Sequence, residues 1–265
     1  MSFDAGYSPE DDRRLAGSLV RSAGRLAARM LTGGLETEHK SSVSDVVSAA
    51  DRAAEELIAG RLAELRPGDG LIGEEGTARI GSTGRTWFID PVDGTYNFLS
   101  GLPFWCSTVA LAEPAPGGGW RPILGAVFHP SADELWTGGP DIPTTCNEIP
   151  VPALRDIGLA ESSLASYLHP PKLAEADVRE PALRLLSGPA TVRMLGSGSI
   201  ELAYVAGGRI GAWAQRDAPD WDWLPGAALV AGAGGGTAVV EHRNSRWHLA
   251  GNRLAVAELR DRLLG

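Results

Sequence analysis

Near the start of the chain the apolar positions recur every three or four residues. Leu15, Leu19, Ala23, Leu26, Ala27 and Met30 fall on one face at helical spacing. Ser8-Pro9-Glu10-Asp11 supplies an N-cap, a proline at the first helical position and acids in the first turn, and Gly33-Gly34 supplies the stop. A second helix is predicted from about Asp51 to Leu65, with Ala54, Leu57, Ile58, Leu62 and Leu65 inward and Pro67-Gly68 ending it. The period then changes, and short apolar segments bounded by Gly and Pro predict strands at residues 70–73, 87–90, 107–112, 123–128 and 135–137, with 114–119 as a hairpin loop. From about Cys146 strands at 164–167, 191–194, 210–215 and 237–241 alternate with helices near 174–186, 199–206, 224–233 and 252–264, the texture of an α/β half. Four prolines between Pro140 and Pro152 mark the boundary, dividing the chain into an N-terminal α+β half, 1–145, and a C-terminal α/β half, 146–265.

Composition narrows the classes. With 24 Lys and Arg against 33 Asp and Glu the net charge is −9, which argues against a nucleic-acid or membrane partner bound through bulk positive charge. At 265 residues and 43% hydrophobic the chain can bury one large core or two that share an interface. Cys106 and Cys146 form neither a zinc pattern nor a disulfide framework and read as buried small hydrophobes. The acidic first 14 residues lack the layout of a signal peptide, and no window approaches 18 consecutive apolar residues, so the expected location is the reduced cytoplasm. The tryptophans at 105, 120, 136, 213 and 247 read as core or interface aromatics, and the five histidines show no metal spacing.

The chemistry concentrates in Trp87-Phe88-Ile89-Asp90-Pro91-Val92-Asp93-Gly94-Thr95-Tyr96-Asn97-Phe98, where an apolar strand delivers two carboxylates into a turn that Pro91 stiffens and Gly94 frees. Taken alone, Asp-Pro-x-Asp-Gly describes a solvated turn. At a strand end, two fixed carboxylates with the main-chain carbonyl of Val92 between them suit a hard divalent cation. Upstream, Gly73-Glu74-Glu75-Gly76 puts adjacent acids at the end of another predicted strand, which by itself is a charged loop. Asp222, in Asp220-Trp221-Asp222-Trp223, is either an N-cap or, given the flanking indoles, a buried carboxylate that needs a cation, a hydrogen-bond network or a proton.

Together these segments resemble the inositol monophosphatase family of magnesium-dependent, lithium-sensitive sugar phosphatases over nearly the whole chain. The family pattern is read in Glu74-Glu75, in Trp87 to Phe98 without a mismatch, and in Trp221-Asp222 followed by Ala233-Gly234-Gly235. The resemblance implies an αβαβα layered sandwich of the sugar-phosphatase type, a homodimer, and Mg2+ held by Glu74, Asp90, Asp93, Asp222 and the Val92 carbonyl. It implies that Asp51 hydrogen-bonds the Thr95 hydroxyl, which with Glu74 orients and deprotonates the attacking water, and that Lys40 and Asp45 belong to the same machinery, with Glu75 as a further candidate. Backbone N–H groups of Gly94 and Thr95 would grip the phosphate, while Gly196-Ser197 would meet the substrate. Seven residues before Asp222, where many members place a glutamate, stands Gln215, and the segment between Glu75 and Trp87 is short for the family.

The expected activity is hydrolysis of a small, inositol-monophosphate-like phosphate ester. Arg66-Pro67-Gly68-Asp69-Gly70 also resembles bacterial histidinol-phosphatase relatives, the alternative, and a regulatory binding protein on the same fold is the rival from another class. The full acidic set favours the enzyme.

Overall fold

The first helix begins where its cap chemistry predicts. In the computed structural model, which describes residues 7–34 and 43–265, α1 runs Pro9–Gly34. The Ser8 hydroxyl accepts the Asp11 N–H at 3.1 Å and donates to the Asp11 carboxylate at 2.7 Å. Leu19, Ala23 and Ala27 are buried as predicted, joined by Ala16 and Val20. Helix α2 runs Val43–Leu65, earlier than the predicted start, and Leu65 lies exposed at its last turn rather than inward.

These two helices cover one face of an eight-stranded sheet formed by β1 (Gly70–Gly73), β2 (Ala78–Arg79), β3 (Thr86–Asp93), β4 (Cys106–Pro114), β5 (Trp120–His129), β6 (Glu134–Gly139), β7 (Ile142–Cys146) and β8 (Ile149–Pro150), in the order β2-β1-β3-β4-β5-β6-β7-β8. The short helix α3 (Thr95–Leu99) follows β3. The second sheet holds β9 (Ser163–Tyr167), β10 (Thr191–Arg193), β11 (Ala212–Arg216), β12 (Gly236–His242) and β13 (Ser245–Gly251), in the order β10-β9-β11-β13-β12. Between the sheets lie α5 (Gly198–Ala206) and α6 (Asp220–Gly232), and α4 (Ala176–Leu186) with α7 (Arg253–Leu264) covers the far face. The architecture is an αβαβα sandwich.

The middle layer belongs to both halves. Phe88, Cys106 and Val127 from the first sheet share one core cluster with Leu202, Trp213, Leu224 and Leu229. The proline-rich stretch expected as a boundary contains β7 and β8, which extend the first sheet outward; proline is tolerated there because an outer strand leaves one row of N–H groups unpaired. Strand β13, absent from the sequence reading, lies between β11 and β12. The two-residue turn before it places Arg243 and Asn244 at φ 48° and 60°, a primed hairpin turn without its usual glycine. Cys146 is half-buried rather than buried, and both cysteines are free. Among the described residues no helix is long and apolar enough to cross a membrane.

Candidate active site

A side-chain period of two would send Asp90 and Asp93 to opposite faces of β3. The pairing with β4 corrects this: Asp90 faces Thr108 and Asp93 faces Cys106, so β3 spends one residue more than its partner between those pairs, a bulge that turns both carboxylates to the same side. The Val92 N–H donates to Asp90 Oδ1 at 3.0 Å, and the Ser107 hydroxyl holds the Pro91 carbonyl at 2.5 Å. Gly94 ends the turn at φ 97°, where a Cβ would stand 2.8 Å from the Phe104 carbonyl, so both conformation and space require glycine.

Strand β1 lies parallel to β3, with Gly73 opposite Ile89, so the two strand ends bring Glu74 beside Asp90. The Glu74 loop is held from behind by Glu55, buried on α2, whose carboxylate accepts the N–H groups of Glu75 at 2.9 Å and Thr77 at 2.8 Å. Helix α6 begins at Asp220, earlier than predicted, so Asp222 is a first-turn residue rather than the cap. Its neighbour Trp223 stacks on Trp213 at 5.7 Å.

The four carboxyls repel one another in a dry place. Burial first, then the charges of Glu74, Asp93 and Asp222, pushes Asp90 well above the ordinary carboxylate range. Asp222 is likewise pushed well up by burial, then by Asp93 and Glu74. Burial raises Asp93 too, against the pull of hydrogen bonds from the Ser199 N–H at 2.6 Å and the Ser197 hydroxyl at 2.8 Å. Glu74 is raised chiefly by burial and is held in check by a hydrogen bond with Asp90.

These groups line a cleft of about 700 Å³ in which no lysine or arginine takes part among the described residues. Carboxylates gathered together and raised by burial and then by one another's charge suit a divalent cation, whose charge would relieve them. Among the described residues no group of three or more His, Cys, Asp or Glu side chains forms a ready-made metal site; the Asp90 carboxyl lies within hydrogen-bonding reach of those of Glu74 and Asp222.

Gly94, Thr95, Val92, Gly196, Ser197 and Gln215 line the same cleft. The Thr95 hydroxyl donates to the Val92 carbonyl at 3.2 Å rather than to Asp51. Asp51 stands behind the acidic loop, its carboxyl raised to about 8 by burial and then by Glu75, Glu74 and Glu55, while burial and Glu55 raise Glu75 itself. Lys40 lies outside the described residues, as does the side chain of Asp45 in α2.

The structure adds residues that the sequence reading did not select. Asn97 donates from Nδ2 to the carbonyls of Phe104 and Leu195, at 2.6 and 2.7 Å. Glu201, Tyr167 and His169 line the cleft, and Tyr167 Oη lies 3.3 Å from His169 Nδ1.

The sequence profile of the inositol monophosphatase family matches residues 9–263. An inositol-1-monophosphatase of Rhizobium meliloti (strain 1021) is 39% identical over 202 residues, 72% of this chain and 71% of that protein. A histidinol-phosphatase of Streptomyces coelicolor is 33% identical over 267 residues, 96% of each chain. The solved structure of inositol monophosphatase from Anabaena (Nostoc) sp. PCC 7120 is similar in fold, with a TM-score of 0.81 and 24% identity over 96% of each chain.

Proposed function

Because the chain belongs to the inositol monophosphatase family, we propose that it hydrolyses a small phosphate monoester of the inositol monophosphate type, with magnesium as its metal. The observation that carries this reading is the convergence of Glu74, Asp90, Asp93 and Asp222, from three separate elements, on one cleft. Magnesium held by these carboxylates and the Val92 carbonyl would neutralise the anionic ester and lower the pKa of water. The chain's own groups do the rest. Main-chain N–H groups of Gly94 and Thr95 grip phosphate oxygens, Glu74 and the Thr95 hydroxyl orient the water, and its proton passes to a carboxylate, that of Glu74 or of Asp51 close behind it. Gly196, Ser197 and Gln215 face the departing alcohol. Catalysis of this kind is mainly positioning and electrostatics. Histidinol phosphate is the second reading, favoured by the end-to-end match to the Streptomyces protein. Homodimeric assembly and work in the cytoplasm belong to the same proposal.

The test measures phosphate release with magnesium from inositol 1-phosphate, histidinol phosphate and glycerol 2-phosphate, together with magnesium titration calorimetry. Asp93→Asn keeps side-chain size but removes a charge, so turnover should fall by about 100-fold or more, with weakened magnesium binding and an unchanged fold by circular dichroism. Activity within a few-fold of the parent would overturn the assignment.

A further inference from the structure

Glu201 is a buried carboxylate with no cationic partner among the described residues. It lies in the first turns of α5 and is 1% exposed, with its head group in the wall of the cleft. One oxygen accepts the main-chain N–H of Leu195 at 2.6 Å and the other accepts the indole N–H of Trp213 at 3.0 Å. The opposite side of Leu195 is also held, because its carbonyl accepts from Asn97 Nδ2 at 2.7 Å. Next along the chain Gly196 adopts φ 86°, where a Cβ would stand 2.8 Å from Asn97 Nδ2, so this turn has no slack on that side. Ser197 then caps α5, accepting the Ile200 N–H at 3.4 Å, and donates to Asp93 at 2.8 Å. A Cβ on Gly94 would lie 3.1 Å from the Gly196 carbonyl, so the two turns are packed against each other.

We propose that Glu201 is a positioning residue of this site: it clamps the Leu195 peptide and so sets the Gly196-Ser197 turn against Asp93 and Gly94. The inference rests on the phosphatase reading of the cleft. A carboxylate is suited to this task because it offers an acceptor to two donors at once, whereas an amide turns one N–H toward a donor. Burial raises the carboxyl to about 8, against the pull of hydrogen bonds from the Leu195 N–H, the Trp213 indole and the Gly196 N–H, so the clamp is complete where the group is ionised and both oxygens accept.

The experiment compares the full-length enzyme with Glu201→Gln, Trp213→Phe and the double variant. Hydrogen exchange at the Leu195 amide should speed up by about tenfold or more in Glu201→Gln, and KM for the ester and the inhibition constant of inorganic phosphate should rise together by a similar factor, with kcat changing by about threefold or less. In the Trp213→Phe background the indole donor is gone, so the amide can turn its oxygen to Leu195 and the added effect of Glu201→Gln should shrink to about twofold. Unchanged exchange would overturn the clamp. Faster exchange with unaltered KM and phosphate inhibition would overturn its positioning role, and so would equal Glu201→Gln effects in both backgrounds. A parent enzyme that is not inhibited by phosphate while the exchange difference persists would overturn the phosphatase reading, and the positioning role with it.

Discussion

Gln215 occupies the cleft wall with its Oε1 3.8 Å from where a Cβ on Gly198 would stand, facing the start of α5. An amide there both donates and accepts, while a carboxylate accepts only and attracts polyols and ammonium groups. Gln215→Glu should therefore raise kcat/KM for inositol or histidinol phosphates relative to glycerol 2-phosphate. The gain is bounded by one charged hydrogen bond, roughly 1.5–3 kcal/mol or about 10- to 150-fold. Measuring kcat/KM for both proteins on the three esters at fixed magnesium checks it, and an unchanged ratio would show that Gln215 does not meet the alcohol. Gln215 was visible in the sequence because it stands at a fixed distance from a recognisable Trp-Asp pair. Glu201 and Glu55 were not: each is a glutamate in a helical pattern, indistinguishable from a solvated helix face until the fold shows which main-chain N–H groups it meets.

At the scale of elements, the helices and most inner strands were legible because their periodicity is strong and glycine or proline bounds them. Strand β13 was not, because its turn carries Arg243 and Asn244 at positive φ in place of glycine, and because Arg246 and His248 break the apolar run. The structure makes this an inner strand of the second sheet, between β11 and β12, and His248 is its least comfortable residue. The imidazole is fully buried against Trp223 at 5.0 Å. The carbonyls of Gln215 and Arg246 lie near, yet neither ring nitrogen meets a partner in hydrogen-bonding geometry. Burial, then Arg246, lowers its pKa from 6.5 to about 4. The folded state thus refuses a proton that the unfolded chain accepts, so the stability His248 contributes is complete above pH 6.5 and is lost as the pH falls toward 4. His248→Leu should flatten this slope, leaving the protein more stable than the parent at pH 5, by up to about 2 kcal/mol, and nearly unchanged at pH 7.5. Urea unfolding at the two pH values measures the difference. An equal effect at both would mean that His248 titrates normally in the folded state.

For the molecule as a whole, the shared middle layer and the acidic cleft are one problem. The first sheet supplies Glu74, Asp90 and Asp93, α6 supplies Asp222, and the apolar core that Phe88 and Val127 share with Leu224 and Leu229 holds those parts in fixed relation. The packing energy of that layer therefore forces like charges together. Asp51 and Glu201, both raised to about 8 chiefly by burial, add to the load. For such groups the folded state keeps protons that the unfolded chain has already released near pH 4, so their stabilising contribution is present at low pH and is lost as the pH rises toward about 8. A divalent cation in the cleft reverses the penalty, because it binds the ionised form. Chelator-treated protein should therefore show a Tm that falls between pH 6.5 and 8.5, a window above the titration of His248, while the Tm increment produced by magnesium grows across the same window. At a concentration about 100 times the dissociation constant, magnesium should contribute about 2.7 kcal/mol, or roughly 5–10 °C for a chain of this size. Thermal unfolding by circular dichroism across that range, with and without magnesium, checks both slopes. A magnesium increment that stays flat or shrinks as the pH rises would mean that the carboxyls of the cleft are already ionised and accommodated without the metal.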